Sequence, residues 1–115
     1  MRRDKLYLHD IVEACDDIAE FVQDHDLASF AESKVVRGAV LQKPIVIGEA
    51  ATRLSADLKR RCREVEWAEI AGLRNRVVHG YFSVEWPIIW VAATEEVPLL
   101  RKQVARMLET HRDLL

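Results

Sequence analysis

The segment from Gly72 to Tyr81 holds the side chains of this chain that are best suited to chemistry on a phosphodiester. It combines a cation, an amide, an imidazole and a phenol, provided by Arg74, Asn75, His79 and Tyr81. A guanidinium binds phosphate oxygens, and an imidazole exchanges protons near neutral pH. Asn75 and His79 are four residues apart, so on a helix they share one face and the amide can orient the imidazole. The segment therefore predicts a site that handles a phosphodiester by proton transfer.

The relative position of Arg74 and His79 constrains how such a site is built. On a straight helix the two side chains point about 140° apart. They converge only through the long arginine side chain, through a helix end that unwinds, or through a neighbouring chain. This geometry indicates a cleft that is shared between structural elements.

A purely structural interpretation of the same residues is also open. In it, His79 caps the last carbonyls of the helix, Arg74 forms a surface ion pair, and Tyr81 packs its ring against the next helix. Spacing alone does not separate this interpretation from the catalytic one.

Apolar residues that recur at helical spacing predict where the first helices lie. The first helix is expected over about residues 4–25, on a stripe formed by Leu8, Ile11, Val12, Cys15, Ile18 and Val22. A short turn follows, capped by Asp26. The next stripe predicts a helix over about residues 33–55 that contains Pro44. Proline removes a backbone donor, so we expect one helix with a kink at Pro44 rather than two helices.

The second half of the chain predicts shorter elements. Residues 56–66 lose the apolar repeat and are rich in arginine, which is typical of a solvated linker or a frayed helix end. A helix is expected over about residues 67–78, with Ile70, Leu73 and Val77 facing the core and Gly80 as its C-terminal cap. Pro87 suits the first turn of the following helix. Thr94 is expected to cap the last one.

Composition supports an all-α fold, with a four- to five-helix up-down bundle as the expected architecture. The 115 residues are 50% hydrophobic and contain four glycines and three prolines, too few turn residues for a β-sandwich or barrel. The length fits a single domain over residues 1–115. Three tryptophans, Trp67, Trp86 and Trp90, are interpreted as anchors of the core or of a dimer interface rather than as base-stacking platforms.

Charge and cysteine content exclude several classes of function. A formal net charge of −2 disfavours a DNA-binding protein. The absence of a long apolar run predicts no membrane helix and no signal peptide, so a cytoplasmic protein is expected. Cys15 and Cys62 lack the spacing of zinc ligands, so we expect buried or idle thiols, no metal site and no cofactor.

The spacing Arg74-x-x-x-x-His79-x-Tyr81 resembles the Arg-x-x-x-x-His-x-Tyr motif of the HEPN superfamily, and specifically of its HepT-like toxins. Further segments that are similar to that family are Tyr7 to Ile11, Ile47 to Ala50, Trp67, the Arg74–Asn75 pair, and His79 to Phe82. The resemblance extends from about Arg3 to Leu108, nearly the whole chain.

This resemblance implies a metal-independent endoribonuclease toxin of a type VII-like toxin–antitoxin system. The protein would be a homodimer in which the motifs of both protomers face one cleft. His79 would act as general acid or base, Arg74 would stabilise charge on the phosphate of an RNA substrate, and Asn75 would position one of them. Tyr81 would be the site that an MntA-like nucleotidyltransferase antitoxin modifies by adenylylation (AMPylation).

Two other functions compete with this one. The first is a catalytically inactive HEPN module that binds a nucleotide or docks a partner, and the second is a purely structural helical dimer. The role of Glu49 also stays open at this stage, since it is either a partner for Arg74 or Arg53 or a solvated side chain on the helix flank.

Overall fold

The computed structural model describes residues 2–75 and 85–115. Within those ranges the chain is helical and contains no β-strand, which confirms the all-α prediction. The predictions made for Val77, His79, Gly80 and Tyr81 lie outside the described residues. The elements are α1 (Arg2–Val22), α2 (Leu27–Glu32), α3 (Lys34–Arg53), α4 (Ala56–Arg61), α5 (Trp67–Ala71), α6 (Trp86–Val91), a π-helical turn (Ala92–Glu96), α7 (Val97–Thr110) and a 3₁₀ turn (Arg112–Leu114).

Helix α1 lies at the centre of the bundle and packs against both α3 and α7. Its predicted apolar stripe is confirmed: five of its six residues are buried, and the sixth, Val12, is partly buried against the core. The side chains that meet this stripe include Val40 and Ile47 from α3, and Val104 and Met107 from α7. The helical period read from the sequence therefore places the core correctly.

Helices α1 and α3 run antiparallel, as two contacts between them show. Near the start of α1, Asp4 accepts hydrogen bonds from Ser55, which follows the end of α3: its oxygens lie 2.9 Å from the backbone nitrogen and 2.7 Å from Oγ. Further along α1, the carboxylate of Asp17 lies 3.0 Å from Nζ of Lys43. The contact made later along α1 is thus with a residue that comes earlier along the chain of α3. This antiparallel pairing is the one expected in an up-down bundle.

Helix α3 continues through Pro44 as one helix, as predicted. Its N-terminus is capped by Ser33, whose Oγ accepts a hydrogen bond from the backbone nitrogen of Val36 at 3.2 Å. The predicted turn before it is also confirmed, because Asp26 caps α2 by accepting from the backbone nitrogen of Ser29 at 2.8 Å. This hydrogen bond lowers the pKa of the Asp26 carboxyl.

The prediction of a solvated linker over residues 56–66 is wrong. Residues 56–61 form α4, and its N-cap Ser55 accepts a hydrogen bond from the backbone nitrogen of Leu58 at 3.2 Å. Leu58, Cys62 and Val65 are buried. These three residues follow an i, i+4, i+7 spacing. Charged side chains surround these three residues in the sequence, so the short apolar spacing is not evident from the sequence alone.

The prediction that Thr94 caps the last helix is also wrong. Helix α6 passes into α7 through the π-helical turn at residues 92–96, and Oγ1 of Thr94 donates a hydrogen bond to the carbonyl of Trp90 at 2.8 Å. Such bonding to the preceding turn is common for threonine within helices. Pro98 lacks the N–H that an α-helix would direct at the carbonyl of Thr94, and the wider turn lies next to it. Pro87, in contrast, lies in the first turn of α6, as predicted.

The three tryptophans pack inside the described part of the fold, as expected. Trp67 is buried. The rings of Trp86 and Trp90 lie 5.9 Å and 5.2 Å from that of Phe30, which joins α6 to α2. The guanidinium of Arg37 lies 4.7 Å from the centre of the Trp86 ring, a cation–π contact.

Candidate functional site

The segment that carries Arg74 and Asn75 follows helix α5, and Trp67 anchors this helix to the core. Its indole N–H donates a hydrogen bond to the carbonyl of Cys62 at 3.0 Å. The helix predicted over residues 67–78 begins at this residue, but α5 ends at Ala71 and Gly72 forms a turn. Residues 73–75 are helical again. The site residues that the structure describes, Arg74 and Asn75, therefore follow directly after an anchored helix.

The two faces of this segment differ as the sequence predicts. Ile70 and Leu73 are partly buried and pack against the core. Arg74 and Asn75 are exposed. Both polar side chains are therefore available to a ligand, and their removal would leave no cavity in the core.

Helix α3 approaches the backbone of this segment closely at Gly48. A β-carbon on Gly48 would lie 3.1 Å from the backbone nitrogen of Arg74 and 3.3 Å from the carbonyl oxygen of Ala71. The absence of a side chain at Gly48 thus allows α3 to contact the backbone that carries Arg74.

The residue next to Gly48 contacts the arginine side chain itself. Oε1 of Glu49 lies 2.8 Å from Nε of Arg74, and the two side chains are 43% and 52% exposed. Of the three possibilities that the sequence left open for Glu49, the structure selects pairing with Arg74. Arg53 forms no ion pair with any residue in the described ranges.

The structure therefore describes two of the predicted site residues and shows that Gly48 and Glu49 contact one of them, Arg74. Arg74 and Asn75 are consecutive and both exposed, while His79 and Tyr81 lie outside the described residues. Gly48 and Glu49 were not predicted as site residues. For Glu49 the sequence offers pairing with Arg74 as one of three possibilities, whereas for Gly48 the only signal is the Ile47 to Ala50 segment that resembles the HepT-like toxins, which does not indicate its contact with Arg74.

An apolar groove of about 760 Å³ lies beside the Arg74 segment. Leu73, which precedes Arg74, lines it together with Ile70 of α5, Ile47 of α3 and two exposed residues of the α6–α7 region, Ile88 and Leu99. The lining also includes the acidic residues Glu64, Glu66, Glu69, Glu85 and Glu96. Among them, a hydrogen bond and repulsion from Glu69 raise the pKa of Glu66.

Residues 2–75 and 85–115 contain no cluster of three or more histidine, cysteine or acidic side chains that would hold a metal ion. Both cysteines are unpaired and buried. Burial and the charge of Asp16 raise the pKa of the Cys15 thiol to about 12. Burial and the charge of Glu64 raise the pKa of Cys62 as well. Thiols in such surroundings are poor nucleophiles.

None of the described helices has the length and apolar character needed to cross a bilayer.

Comparison with known proteins gives consistent matches over nearly the whole chain. Residues 11–107 match the model of the family described as Ribonuclease HepT-like. A protein of Methanocaldococcus jannaschii named "putative RNase" is 36% identical over 100 residues, which cover 87% of this chain and 92% of that relative. A protein of Thermococcus cleftensis named "probable ribonuclease HepT" is 33% identical over 106 residues, which cover 92% and 96% of the two chains. No solved structure gives a significant match.

Proposed function

This chain belongs to the HepT-like ribonuclease family, and from that premise we propose that it is an endoribonuclease that cuts RNA with Arg74 and His79. The observation that carries the proposal is the placement of Arg74. Its guanidinium is exposed and lies 2.8 Å from the Glu49 carboxylate, and its backbone is packed against Gly48. A cation held in this way is suited to bind a phosphate at a fixed position.

The proposed reaction needs no metal ion, because RNA carries its own nucleophile. The 2′-oxygen attacks the adjacent phosphorus, and the bond from phosphorus to the 5′-oxygen breaks. A base removes the proton of the 2′-hydroxyl, and an acid donates a proton to the departing 5′-oxygen; His79 is proposed for one of these roles. Arg74 neutralises the charge that develops on the phosphate, and Asn75 positions Arg74 or His79. The product is a 2′,3′-cyclic phosphate with a free 5′-hydroxyl.

The test is cleavage of a labelled single-stranded RNA in excess EDTA. Arg74→Ala and His79→Ala are expected to lower the rate by about a hundredfold or more each, since each removes one catalytic group. Arg101→Ala is the matched control for Arg74, because Arg101 is similarly exposed and its Nε also pairs with a carboxylate, that of Asp16, at 3.1 Å. His9→Ala, at an exposed position on α1, is the control for His79.

Three outcomes would contradict parts of this proposal. Cleavage that disappears in EDTA would exclude the metal-independent mechanism. Full activity of a folded Arg74→Ala or His79→Ala variant would exclude the assigned roles. An inactive parent protein that still binds nucleotide or a partner would instead support a catalytically inactive HEPN module.

We further propose that the protein is the toxin of a toxin–antitoxin pair in the cytoplasm. Its antitoxin would be an MntA-like nucleotidyltransferase that transfers AMP to Tyr81. The support for this is the resemblance of the Arg74 to Tyr81 segment to the motif of HepT-like toxins. An AMP group near Arg74 would add negative charge where the RNA phosphate is proposed to bind, and so inhibit cleavage.

The proposed assembly is a homodimer. The apolar groove supports it, because Ile88 and Leu99 line the groove and are 63% and 57% exposed. Large apolar side chains at such exposure are typical of protein interfaces. A shared cleft would also remove the need for Arg74 and His79 of one chain to converge.

A further inference from the structure

We propose that Glu49 is a positioning residue that fixes the guanidinium of Arg74 for contact with the RNA phosphate. The inference rests on the proposed ribonuclease function and deepens it, because it assigns a role in turnover to a residue outside the Arg74-x-x-x-x-His79 motif. Glu49 comes from α3, whereas Arg74 follows α5. The site is thus built from two separate parts of the chain.

The atoms that form the ion pair support a positioning role. Oε1 of Glu49 lies 2.8 Å from Nε of Arg74. A guanidinium carries five N–H groups, and four of them are on the two terminal nitrogens. An arginine engaged through Nε therefore keeps its terminal nitrogens for two parallel hydrogen bonds to a phosphate. A contact through Nε restricts the rotation of the side chain, and the terminal nitrogens are the donors that we assign to the phosphate.

The packing at Gly48 adds a second contact that holds Arg74 in place. Since Gly48 contacts the backbone of Arg74, α3 holds both the backbone and the side chain of the arginine with two adjacent residues. An exposed ion pair on its own restricts a side chain weakly. The backbone contact next to the ion pair fixes the position of the Arg74 backbone. The ion pair then restricts the orientation of the guanidinium relative to that backbone.

Stability alone is a poor explanation for the Glu49–Arg74 pair. Ion pairs between half-exposed side chains contribute little to stability. The Asp16–Arg101 pair provides a comparison within the same molecule: it also joins a carboxylate to Nε between two helices, at 3.1 Å, with side chains 55% and 46% exposed. It lies between α1 and α7, and neither residue belongs to the candidate site. The two pairs are therefore similar in geometry and exposure, and they differ in that only the Glu49–Arg74 pair includes a residue of the candidate site.

The charge of Glu49 gives the proposal a distinctive consequence. A carboxylate beside the proposed phosphate site repels RNA, so its presence weakens binding. Loss of Glu49 should therefore leave RNA binding unchanged or tighter. Turnover should fall, because the arginine is no longer held in place. A residue that served only to keep the fold intact would lower binding and turnover together.

The experiment compares Glu49→Ala, Glu49→Gln and Asp16→Ala with the parent full-length chain. Binding is measured with an RNA oligonucleotide carrying 2′-O-methyl groups, which lack the nucleophile, and turnover with the unmodified oligonucleotide. Glu49→Ala is expected to lower kcat by about tenfold to a hundredfold, the range expected for a displaced catalytic group, with no loss of affinity. Glu49→Gln keeps an amide oxygen that can accept a hydrogen bond from Nε of Arg74, and it should recover most of kcat. Asp16→Ala should match the parent in both measurements.

Results that differ from this expected pattern overturn the inference. It is wrong if Glu49→Ala cuts at the parental rate, if its kcat and affinity fall in proportion, or if Glu49→Gln is as slow as Glu49→Ala. Circular dichroism and the melting temperature establish that the variants are folded, and Glu49→Gln serves as the decisive variant if the alanine protein unfolds. A parental rate for Glu49→Ala beside an inactive Arg74→Ala rejects only the role of Glu49. An inactive parent, or an active Arg74→Ala, rejects the proposed function and the inference with it.

Discussion

A β-carbon on Gly48 would lie 3.1 Å from the backbone nitrogen of Arg74. We predict that Gly48→Ala lowers ribonuclease activity more than stability. Alanine favours a helix over glycine by about 1 kcal/mol, which offsets part of the strain at this contact. The atoms nearest to the new methyl group are mainly backbone atoms of the segment carrying Arg74, so that segment must shift. Cleavage rate and melting temperature, measured on the same sample, test the prediction.

Gly38→Ala is the control for this variant, because Gly38 is also in α3 and a β-carbon there would meet nothing within 4 Å. It should raise stability by about 0.5–1 kcal/mol and leave activity unchanged. A Gly48→Ala protein with parental activity would show that the close approach does not position Arg74.

The contact between Gly48 and Arg74 also shows what the sequence could not predict about the site. Periodicity identifies the inward-facing residues of a single helix, and it placed Ile70 and Leu73 correctly on the inner face and Asn75 away from it. It carries no information about which two helices meet. The pairing of Glu49 with Arg74 depends on how α3 packs against the segment after α5, so the sequence left three possibilities for Glu49.

The two wrong predictions about the fold, those for residues 56–66 and for Thr94, have a similar physical origin. The apolar pattern does not predict α4, because only six residues form this helix and its charged side chains outnumber the buried one, Leu58. The sequence predicts a capping role for Thr94 because threonine is common at the N-termini of helices. Its hydroxyl instead bonds back to Trp90. In both cases tertiary packing, which keeps the chain helical, outweighs a local signal.

Asp4 is predicted to be a main determinant of stability. Its buried carboxylate accepts two hydrogen bonds from Ser55 and so joins the start of α1 to the junction of α3 and α4. Hydrogen bonds to a charged group contribute about 1.5–3 kcal/mol, so Asp4→Ala should lower the free energy of unfolding by about 2 kcal/mol. Urea denaturation measures this change. Asp10→Ala, at an exposed position of the same helix, should have little effect, and equal losses in the two variants would refute the prediction.

The two thiols should resist alkylation in the native protein. The pKa of Cys15 is raised from 9.0 to about 12, so at pH 8 its thiolate fraction is about a thousandfold lower than that of an ordinary cysteine. The pKa of Cys62 is also raised, and its side chain is buried. Treatment with iodoacetamide followed by mass measurement should show no modification in buffer and two modifications in guanidinium chloride. Rapid labelling of Cys15 in buffer would contradict its burial.

Leu99 is predicted to lie in a dimer interface. The parent should scatter light as a dimer at micromolar concentration, and Leu99→Glu should scatter as a 13.3 kDa monomer because it places a charge among the apolar side chains of the groove. Leu6→Glu is the matched control, since Leu6 is 61% exposed on α1 and Leu99 is 57% exposed. A parent protein that is monomeric, or a Leu99→Glu variant that stays dimeric, would argue against this interface.

Tyr81 is predicted to be the residue through which a nucleotidyltransferase antitoxin inhibits the enzyme. Tyr81→Phe removes the hydroxyl that would accept AMP and keeps the aromatic ring, so the variant should remain an active ribonuclease. After incubation with the antitoxin and ATP, intact-mass measurement should show additions the size of AMP on the parent and none on Tyr81→Phe. RNA cleavage by the parent should then fall, because the added phosphate charge lies two residues from His79 in the sequence, while cleavage by the variant should persist. Tyr7→Phe controls for the loss of a tyrosine elsewhere and should be modified and inhibited like the parent. Equal labelling of Tyr81→Phe would exclude Tyr81 as the acceptor, and inhibition of the parent without any change in mass would show that the antitoxin acts by covering the site.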